Sequence, residues 1–199
     1  MQEITINDPF GKALAKYSEG LPLGVEIGGG TGDGSTQCIR TRELFSFEIH
    51  PDRIGRHKYN LDGRQGGLAI NQLSSNPMLW MSIKAVEDFY KTTITKLNQY
   101  PLNQIIEWHK DDFRMAAKYQ WGHLTLKDQI DFLLLDGGAF SGRADFEVFF
   151  PKVRDSGIIA LDDTNDIKNY ENYQWLKASG HNLLWEEWGW RNGCAIFRK

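Results

Sequence analysis

A short apolar segment that runs directly into a glycine-rich turn is the feature that most limits the fold of this chain. Residues 23–27 have the length and apolar character of a buried strand, and Gly28-Gly29-Gly30-Thr31-Gly32 follow them. Glycines at such a point allow a tight turn and let a ligand lie against the backbone. We predict a helix over 33–42, whose N-terminus would offer free N–H groups to that ligand. The order of strand, glycine turn and helix predicts the ligand-binding edge of a parallel sheet.

The rest of the chain continues this alternation of strands and helices. Further strands are predicted at 44–49, 104–108, 130–135, 157–161, 183–188 and 193–198. Further helices are predicted at 9–17, 81–99, 113–119, 146–153 and 170–178, the first with Asp8 as its N-cap and Gly20 as its stop. This alternation predicts an α/β fold with a doubly wound, largely parallel sheet. Because the turn at 190–193 is short, the last two strands are predicted to form an antiparallel hairpin.

Length and charge limit the number of domains and the class of partner. The 199 residues suit one domain over 1–199, and the less regular stretch at 53–80 is predicted to be an insertion or lid. The formal net charge of −3 argues against nucleic acid as the main partner. No apolar run approaches the roughly 20 residues that span a bilayer, so we expect no membrane contact. Cys38 and Cys194 lie far apart in sequence, which favours a reducing, cytoplasmic setting.

The spacing of the glycines separates two classes of ligand. The dinucleotide fingerprint G-x-G-x-x-G fails in each register, and no Gly-Lys-Ser/Thr follows to make a phosphate-binding loop. What remains is an acidic residue, Glu26, followed by alternating glycines, which suits a ligand with an ammonium group better than a pyrophosphate. Glu48 ends the second predicted strand 20 residues after Gly28, where a carboxylate reaches the two hydroxyls of a bound ribose. The pair Asp111-Asp112 closes the third predicted strand and could accept a ring amino group.

With these motifs the chain resembles the class I S-adenosylmethionine-dependent methyltransferases. The segments that carry the resemblance are 25–32, 45–53, 105–112, 130–138, 157–164 and the terminal hairpin. The resemblance implies a Rossmann-like sheet of seven strands in the order 3-2-1-4-5-7-6, with strand 7 antiparallel. It implies S-adenosylmethionine as cofactor, with its amino-acid part on the glycine loop, its ribose on Glu48 and its adenine amine on Asp111 or Asp112. The cofactor-binding residues expected on this basis are Glu26, Gly28, Gly30, Thr31, Gly32, Glu48, Ile49, Asp111, Asp112 and Asp136.

Carboxylates also end the fourth and fifth predicted strands. Asp136 follows the fourth strand and Asp162-Asp163 follow the fifth, and such oxygen-rich groups suit Mg²⁺. This half resembles the metal-assisted small-molecule O-methyltransferases, which implies a metal site of Asp136, Asp162 and Asp163. The residues expected to be catalytic are Asp136, Asp163 and Lys168, the last to deprotonate or orient a hydroxyl. The chain departs from that pattern at 138–140, where a basic residue or histidine is common in such enzymes, and at Thr164.

These features together predict methyl transfer from S-adenosylmethionine to a hydroxyl of a small molecule or sugar-containing metabolite, assisted by a divalent metal. The alternative from another class is a non-catalytic S-adenosylmethionine-binding or scaffolding protein of the same fold. The glycine spacing does not match G-x-G-x-x-G, which argues against an oxidoreductase that uses a dinucleotide or nucleotide sugar. A nucleic-acid methyltransferase is opposed by the net charge and by the lack of an Asn/Asp-Pro-Pro-aromatic motif after the fourth strand. Trp185, Trp188 and Trp190 leave three readings open: core packing, a homodimer interface or an aromatic substrate wall.

Overall fold

A computed structural model describes residues 3–121 and 129–199. It forms one seven-stranded sheet in the order β3-β2-β1-β4-β5-β7-β6. The strands are β1 (Leu23–Ile27), β2 (Glu43–Phe47), β3 (Gly67–Ile70), β4 (Ile130–Leu135), β5 (Val153–Asp162), β6 (Asn182–Glu187) and β7 (Cys194–Arg198). The helices are α1 (Pro9–Ser18), α2 (Ser35–Cys38), α3 (Pro51–Asp62), α4 (Ile83–Thr92), α5 (Leu102–Ala116), α6 (Gly142–Phe149) and α7 (Tyr170–Ala178). No helix within these residues is long and apolar enough to cross a bilayer.

The centre of the sheet follows from apolar strands that are covered on both faces. Every residue of β1 and β4 is buried, and β4 is apolar at all positions except Asp131. Such continuous burial is characteristic of parallel strands with helices on each side. β1 pairs in parallel with β2 and β4, and β4 pairs in parallel with β5. The carboxyl ends of these strands therefore meet along one edge of the sheet, where ligands bind in folds of this kind.

The terminal hairpin and the strand order agree with the sequence predictions. β7 pairs antiparallel with both β5 and β6, so the chain enters the sheet between them after a short turn. The order 3-2-1-4-5-7-6 and the antiparallel seventh strand are confirmed. The predicted first helix is also confirmed, because the side chain of Asp8 accepts a hydrogen bond from Gly11 N and Gly20 follows with a φ of +69°.

The predicted third strand was wrong. Residues 104–108 lie inside α5, where Ile105, His109 and Ala116 are buried at helical spacings. The true third strand is β3, which pairs in parallel with β2 at the edge of the sheet. Helix α3 and strand β3 occupy half of the stretch predicted to be an insertion at 53–80, so its first part belongs to the sheet and its covering helix. A lid role for the remaining 71–80 stays a prediction.

The helix predicted at 33–42 is also much shorter than expected. Only α2 is helical there, and the chain is extended again at Ile39 before β2 begins. A single turn of helix has too few aligned peptide groups for an appreciable dipole. Any binding of a ligand by this region therefore depends on the backbone of the glycine loop and not on a helix dipole.

The C-terminal tryptophans do not share one environment. Trp185 stacks on the ring of Phe10 with centroids 5.8 Å apart, and Trp190 contacts the same ring at 6.4 Å. These two contacts favour core packing for Trp185 and Trp190. Trp188 is 44% exposed and lies against Tyr173. A homodimer interface at Trp188 remains a prediction.

Candidate active site

The glycine loop is shaped by close approaches that only glycine permits. Gly28, Gly30 and Gly32 have positive φ values of 88°, 59° and 78°. A Cβ on Gly28 would lie 2.3 Å from the carbonyl oxygen of Asp136, so the loop touches the end of β4. A Cβ on Gly30 would meet no atom within 4 Å, since that residue faces open space. The loop therefore has open backbone at Gly30, and contact of Gly28, Gly30, Thr31 and Gly32 with a cofactor stays a prediction.

Glu26 lies behind this loop, among the side chains that hold the loop in place. Its carboxylate is fully buried and accepts hydrogen bonds from the hydroxyls of Ser35, Thr36 and Ser46 at 2.6–2.7 Å. Burial raises the pKa of Glu26, while these hydroxyls lower it in part. Ser46 Oγ also lies 2.8 Å from His57 Nε2, beneath Gly29. The contacts around Glu26 support a role in holding the loop, and direct contact with a cofactor ammonium stays a prediction.

Glu48 lies at the end of β2, on the wall of a cavity of about 360 Å³. Its Oε1 accepts hydrogen bonds from the backbone N–H groups of Ile49 and His50 at 2.8 and 2.6 Å. These bonds fix the carboxylate at the mouth of the cavity. Ile49, Gly28 and Asp136 line the same cavity. Four of the residues predicted to bind the cofactor thus line one space, and their contact with a cofactor stays a prediction.

Asp111 and Asp112 are not at a strand end. Both lie on α5 and line the first cavity; Asp111 is exposed and its Oδ1 is 2.9 Å from Arg114 Nη1. Asp112 is half-buried and faces the cavity from the helix side. The residues that follow β3 and line the cavity are instead Gln72, Leu73 and Ser74. The strand-end position predicted for the Asp pair was therefore wrong, because the third strand lies earlier in the chain.

The segment after β3 is anchored by a residue that sequence reasoning missed. Asp145, on the first turn of α6, is buried and accepts hydrogen bonds from Ser74 Oγ at 2.6 Å and Ser141 Oγ at 2.7 Å. These contacts tie the Gln72–Ser74 wall to α6. An acidic residue in the first turn of a helix is a common capping signal, so the sequence offered no specific sign of this bridge.

A second cavity, of about 590 Å³, shares Gly28, Asp112 and Asp136 with the first. It extends from the glycine loop to the ends of β4 and β5 and to the aromatic rings of Tyr100, Trp108 and Phe140. Two adjoining spaces with a common wall can hold a donor and an acceptor side by side.

The three carboxylates predicted as metal ligands do converge beside this second cavity. Oxygens of Asp136, Asp162 and Asp163 lie within 4.8 Å of one another. Lys168 Nζ lies 2.7 Å from Asp136 Oδ1 and 2.6 Å from Asp163 Oδ2. Arg191 Nη2 lies 3.0 Å from Asp162 Oδ2. The cluster therefore combines three acids with two bases.

The electrostatics of the cluster fix the protonation of Lys168. Burial alone would lower the pKa of this ammonium, but the carboxylates of Asp136, Asp163 and Asp162 outweigh it and raise the pKa above its ordinary value. Burial, with Asp136 and Asp163 nearby, raises the pKa of Asp162 well above its usual range. Since Lys168 stays protonated at neutral pH, orienting a hydroxyl fits it better than removing a proton.

The side chains in the cluster do not fit a divalent cation. The ammonium of Lys168 already pairs with two of the three predicted ligands, and Arg191 pairs with the third. A divalent ion among the same oxygens would face two positive charges at short range. We therefore assign no chemical step to Mg²⁺.

The backbone around Lys168 is held in place. Asn169 Nδ2 donates to the carbonyl oxygens of Leu135 and Asp162, at 3.0 and 2.7 Å, and so joins the ends of β4 and β5. A Cβ on Gly142 would lie 1.9 Å from the carbonyl oxygen of Lys168, so only glycine allows this approach of α6. Asp163 has a φ of +56°, a conformation that persists in non-glycine residues only when the surroundings impose it.

Two further carboxyls on the cavity walls are poised near neutral pH. Burial raises the pKa of Asp112 and of Asp166 to about 6 in each case. Asp166 Oδ1 accepts a hydrogen bond from Ile167 N, and the side chain lines the second cavity. Sequence reasoning missed Asp166, although its place shortly after Asp162-Asp163 was a usable signal. Arg53, which lines both cavities, was likewise not selected.

Comparisons with known proteins agree on the fold. No protein-family model matches the chain, and no curated protein matches it. A solved rRNA methylase from Streptococcus thermophilus is 11% identical with a TM-score of 0.55, covering 98% of each chain. A Staphylococcus aureus structure assigned as a caffeoyl-CoA O-methyltransferase is 13% identical with a TM-score of 0.54, covering 100% of this chain and 85% of that one. M. capricolum TrmK, solved with S-adenosyl-homocysteine, is 12% identical with a TM-score of 0.55, covering 96% and 68%.

These similarities are all at low identity and therefore concern the fold. They agree with the seven-stranded sheet and its antiparallel seventh strand. The chain has the fold of the class I S-adenosylmethionine-dependent methyltransferases, as the resemblance in its sequence implied.

Proposed function

We propose that this protein transfers a methyl group from S-adenosylmethionine to a hydroxyl of a small molecule or sugar-containing metabolite. The observation that carries the proposal is the pair of adjoining cavities at the carboxyl edge of the sheet. One is lined by Gly28, Glu48 and the segment after β3, and the other by more of the glycine loop, the charged cluster and aromatic rings. Fold relatives that include an O-methyltransferase support the activity in general.

The first cavity suits the nucleoside of the cofactor. The Glu48 carboxylate, held by two backbone N–H groups, is placed to accept hydrogen bonds from a ribose. Gln72 and Ser74, on the segment after β3, join the Asp111-Asp112 pair of α5 as our candidates for contact with the adenine edge. The open backbone at Gly30, which lines the adjoining second cavity, leaves room for the amino-acid end. The cofactor, when bound, supplies an electrophilic methyl group on a sulfonium.

The second cavity suits a small acceptor better than a nucleic acid. Its volume is within the range of small-molecule sites. Its acids are Glu3, Asp112, Asp136, Asp163 and Asp166, against the bases Arg53, Lys168 and Arg191. An excess of acidic groups repels a phosphodiester backbone. The rings of Tyr100 and Trp108, whose centroids lie 4.9 Å apart, offer an apolar wall to the acceptor.

The residues of the second cavity could prepare a hydroxyl for attack. The acceptor oxygen forms a bond to the methyl carbon as the bond from that carbon to sulfur breaks, and the hydroxyl proton passes to a base. Asp166 is our candidate base, since a carboxyl with a pKa of about 6 is ionised at pH 7 and still basic enough to assist. Lys168 would stabilise the negative charge that deprotonation leaves on the acceptor oxygen before the oxygen attacks the methyl group.

The test is release of S-adenosyl-homocysteine from the purified protein with three panels of acceptors: phenols and sugar hydroxyls, primary amines, and RNA. We expect turnover with a hydroxyl compound and loss of about 100-fold in kcat for Asp166→Asn, the typical size of a general-base effect. Asp155→Asn, which lies on β5 away from both cavities, serves as the matched control. Turnover only on RNA would contradict the acceptor class. Cofactor binding without turnover on any panel would favour the non-catalytic alternative.

A further inference from the structure

We propose that Lys168 takes the place of a divalent metal at the acceptor site, so that an ammonium group does the work of a Lewis acid. The inference rests on the proposed function for its chemical meaning. It concerns three carboxylates at the ends of β4 and β5 and the cation that lies among them. Its physical basis is the arrangement of charges in the buried cluster.

The first observation is the convergence of oxygens around Lys168. Oxygens of Asp136, Asp162 and Asp163 lie within 4.8 Å of one another, a spacing that could close around one ion. Lys168 Nζ lies within 2.7 Å of oxygens from two of these residues. A single ammonium thus makes the contacts with Asp136 and Asp163 that a bound ion would make.

The second observation is that Lys168 cannot easily withdraw. Its side chain is only 9% exposed, and its carbonyl oxygen is packed against Gly142. The neighbouring Asn169 is pinned to the carbonyl oxygens at the ends of both strands. A lysine fixed in this way differs from a surface lysine, which could move aside to admit an ion.

The third observation is a set of buried oxygens without hydrogen bonds. Among the described residues, neither carboxylate oxygen of Asp162 has a well-aligned donor, although Oδ2 is near Arg191, and Asp163 Oδ1 has none. Asp162 has no exposed surface. If the ammonium were removed, these oxygens and those released from Lys168 would form an acidic, oxygen-rich site of the kind that hard cations prefer, with Arg191 beside Asp162 as the one cation of the cluster that remains.

The experiment is titration of Mn²⁺ and of Mg²⁺, each alone, into the metal-free protein, followed by calorimetry. We expect no binding to the wild-type cluster. We expect Lys168→Ala to bind one equivalent of Mn²⁺ at least roughly tenfold more tightly than the wild type, and to melt at a higher temperature with Mn²⁺ than in chelator. Lys168→Ala with Asp163→Ala should lose the gained binding. Lys177→Ala, which removes an exposed lysine near Glu186, is the matched control and should bind no ion.

Stoichiometric binding of either ion to the wild type, lost in Asp163→Ala, would overturn the inference. Absence of binding in a folded Lys168→Ala would overturn it as well, because the carboxylates would then not be an ion site. If Lys168→Ala does not fold in chelator, the wild-type titration still decides whether the native cluster binds a divalent ion. Refolding of Lys168→Ala in Mn²⁺ but not in K⁺ then decides whether the carboxylates form an ion site without the lysine. Binding of S-adenosylmethionine is measured on the same wild-type sample. Absence of S-adenosylmethionine binding would contradict the proposed function but would not change the conclusion of the metal titration.

Discussion

The carboxyl of Asp112 lies on the wall shared by the two cavities. Burial raises its pKa to about 6, and the nearby charge of Asp111 adds to this, while His109 opposes it. In the unfolded chain the same carboxyl would titrate near its ordinary value. The folded protein therefore binds a proton here more tightly than the unfolded chain does, and stability falls as the pH rises from about 4 to about 6.

Asp112→Asn should therefore stabilise the protein at pH 7, by roughly 1–2 kcal/mol after allowance for solvent screening, because it removes a charge that burial disfavours. The advantage should shrink as the pH is lowered through 6 and vanish near pH 4. Thermal melting at pH 4, 5, 6 and 7 measures it. Asp111→Asn, which alters an exposed neighbour paired with Arg114, should show no such pH dependence. An Asp112→Asn advantage that stays constant over this range would contradict the account.

Glu48 is the residue on which the cofactor assignment depends most. Glu48→Gln keeps the size of the side chain but removes the charge that strengthens hydrogen bonds to a ribose. We expect affinity for S-adenosylmethionine to fall about tenfold, equivalent to roughly 1.4 kcal/mol. Glu43→Gln, at the exposed start of β2, is the control and should bind normally. If calorimetry gave equal affinities for S-adenosylmethionine in the two variants, Glu48 would not be a cofactor-binding residue.

Sequence reasoning found the residues of the site when they follow strands of the sheet centre. Glu48, Asp136 and Asp163 could be placed because buried strands precede them and the ends of parallel strands share an edge. Asp112 was predicted at the end of a strand but lies on α5, where it lines both cavities. Asp145 and Asn169 could not be found, since their roles depend on contacts with chain segments distant in sequence.

At the scale of elements, the glycine loop and the end of β4 form one unit. Gly28 must have a positive φ and must also lie against the backbone of Asp136. These are two separate constraints, and the second joins the cofactor side of the site to the acceptor side. The two can be separated by comparison with Gly180, which has a φ of +76° and no atom near its missing side chain.

Gly180→Ala should cost only the strain of a left-handed residue, roughly 1–2 kcal/mol. Gly28→Ala adds a clash with backbone, so we expect it to lower stability by several kcal/mol in total or to displace the loop. Chemical denaturation of both variants measures the difference, and calorimetry should show weakened cofactor binding in Gly28→Ala alone. Equal losses of stability and unchanged binding would show that the loop does not depend on this approach.

The edge of the sheet marks the limit of prediction from the sequence at this scale. β3 has four residues and is only partly buried, so it lacks the continuous apolar run of β4. Residues 104–108 contain Ile105 and Ile106 and so resemble a strand when read alone. The spacing of Ile105, His109 and Ala116 along a longer window is helical, and it was the stronger signal.

At the scale of the whole molecule, each half of the sheet supplies one side of the proposed reaction. β1 and β2 end at the first cavity, while β4 and β5 end at the charged cluster beside the second. The shared wall of Gly28, Asp112 and Asp136 brings the two sides together. A bound cofactor should therefore protect both halves, so the melting temperature of the entire domain should rise with the logarithm of the cofactor concentration.

Calorimetric titration of the purified protein with S-adenosylmethionine, alongside NAD⁺, tests the central claim most directly. The account predicts binding of one S-adenosylmethionine per chain, weakened in Glu48→Gln and unchanged in Glu43→Gln, with no binding of NAD⁺. Binding of NAD⁺ without binding of S-adenosylmethionine would contradict it.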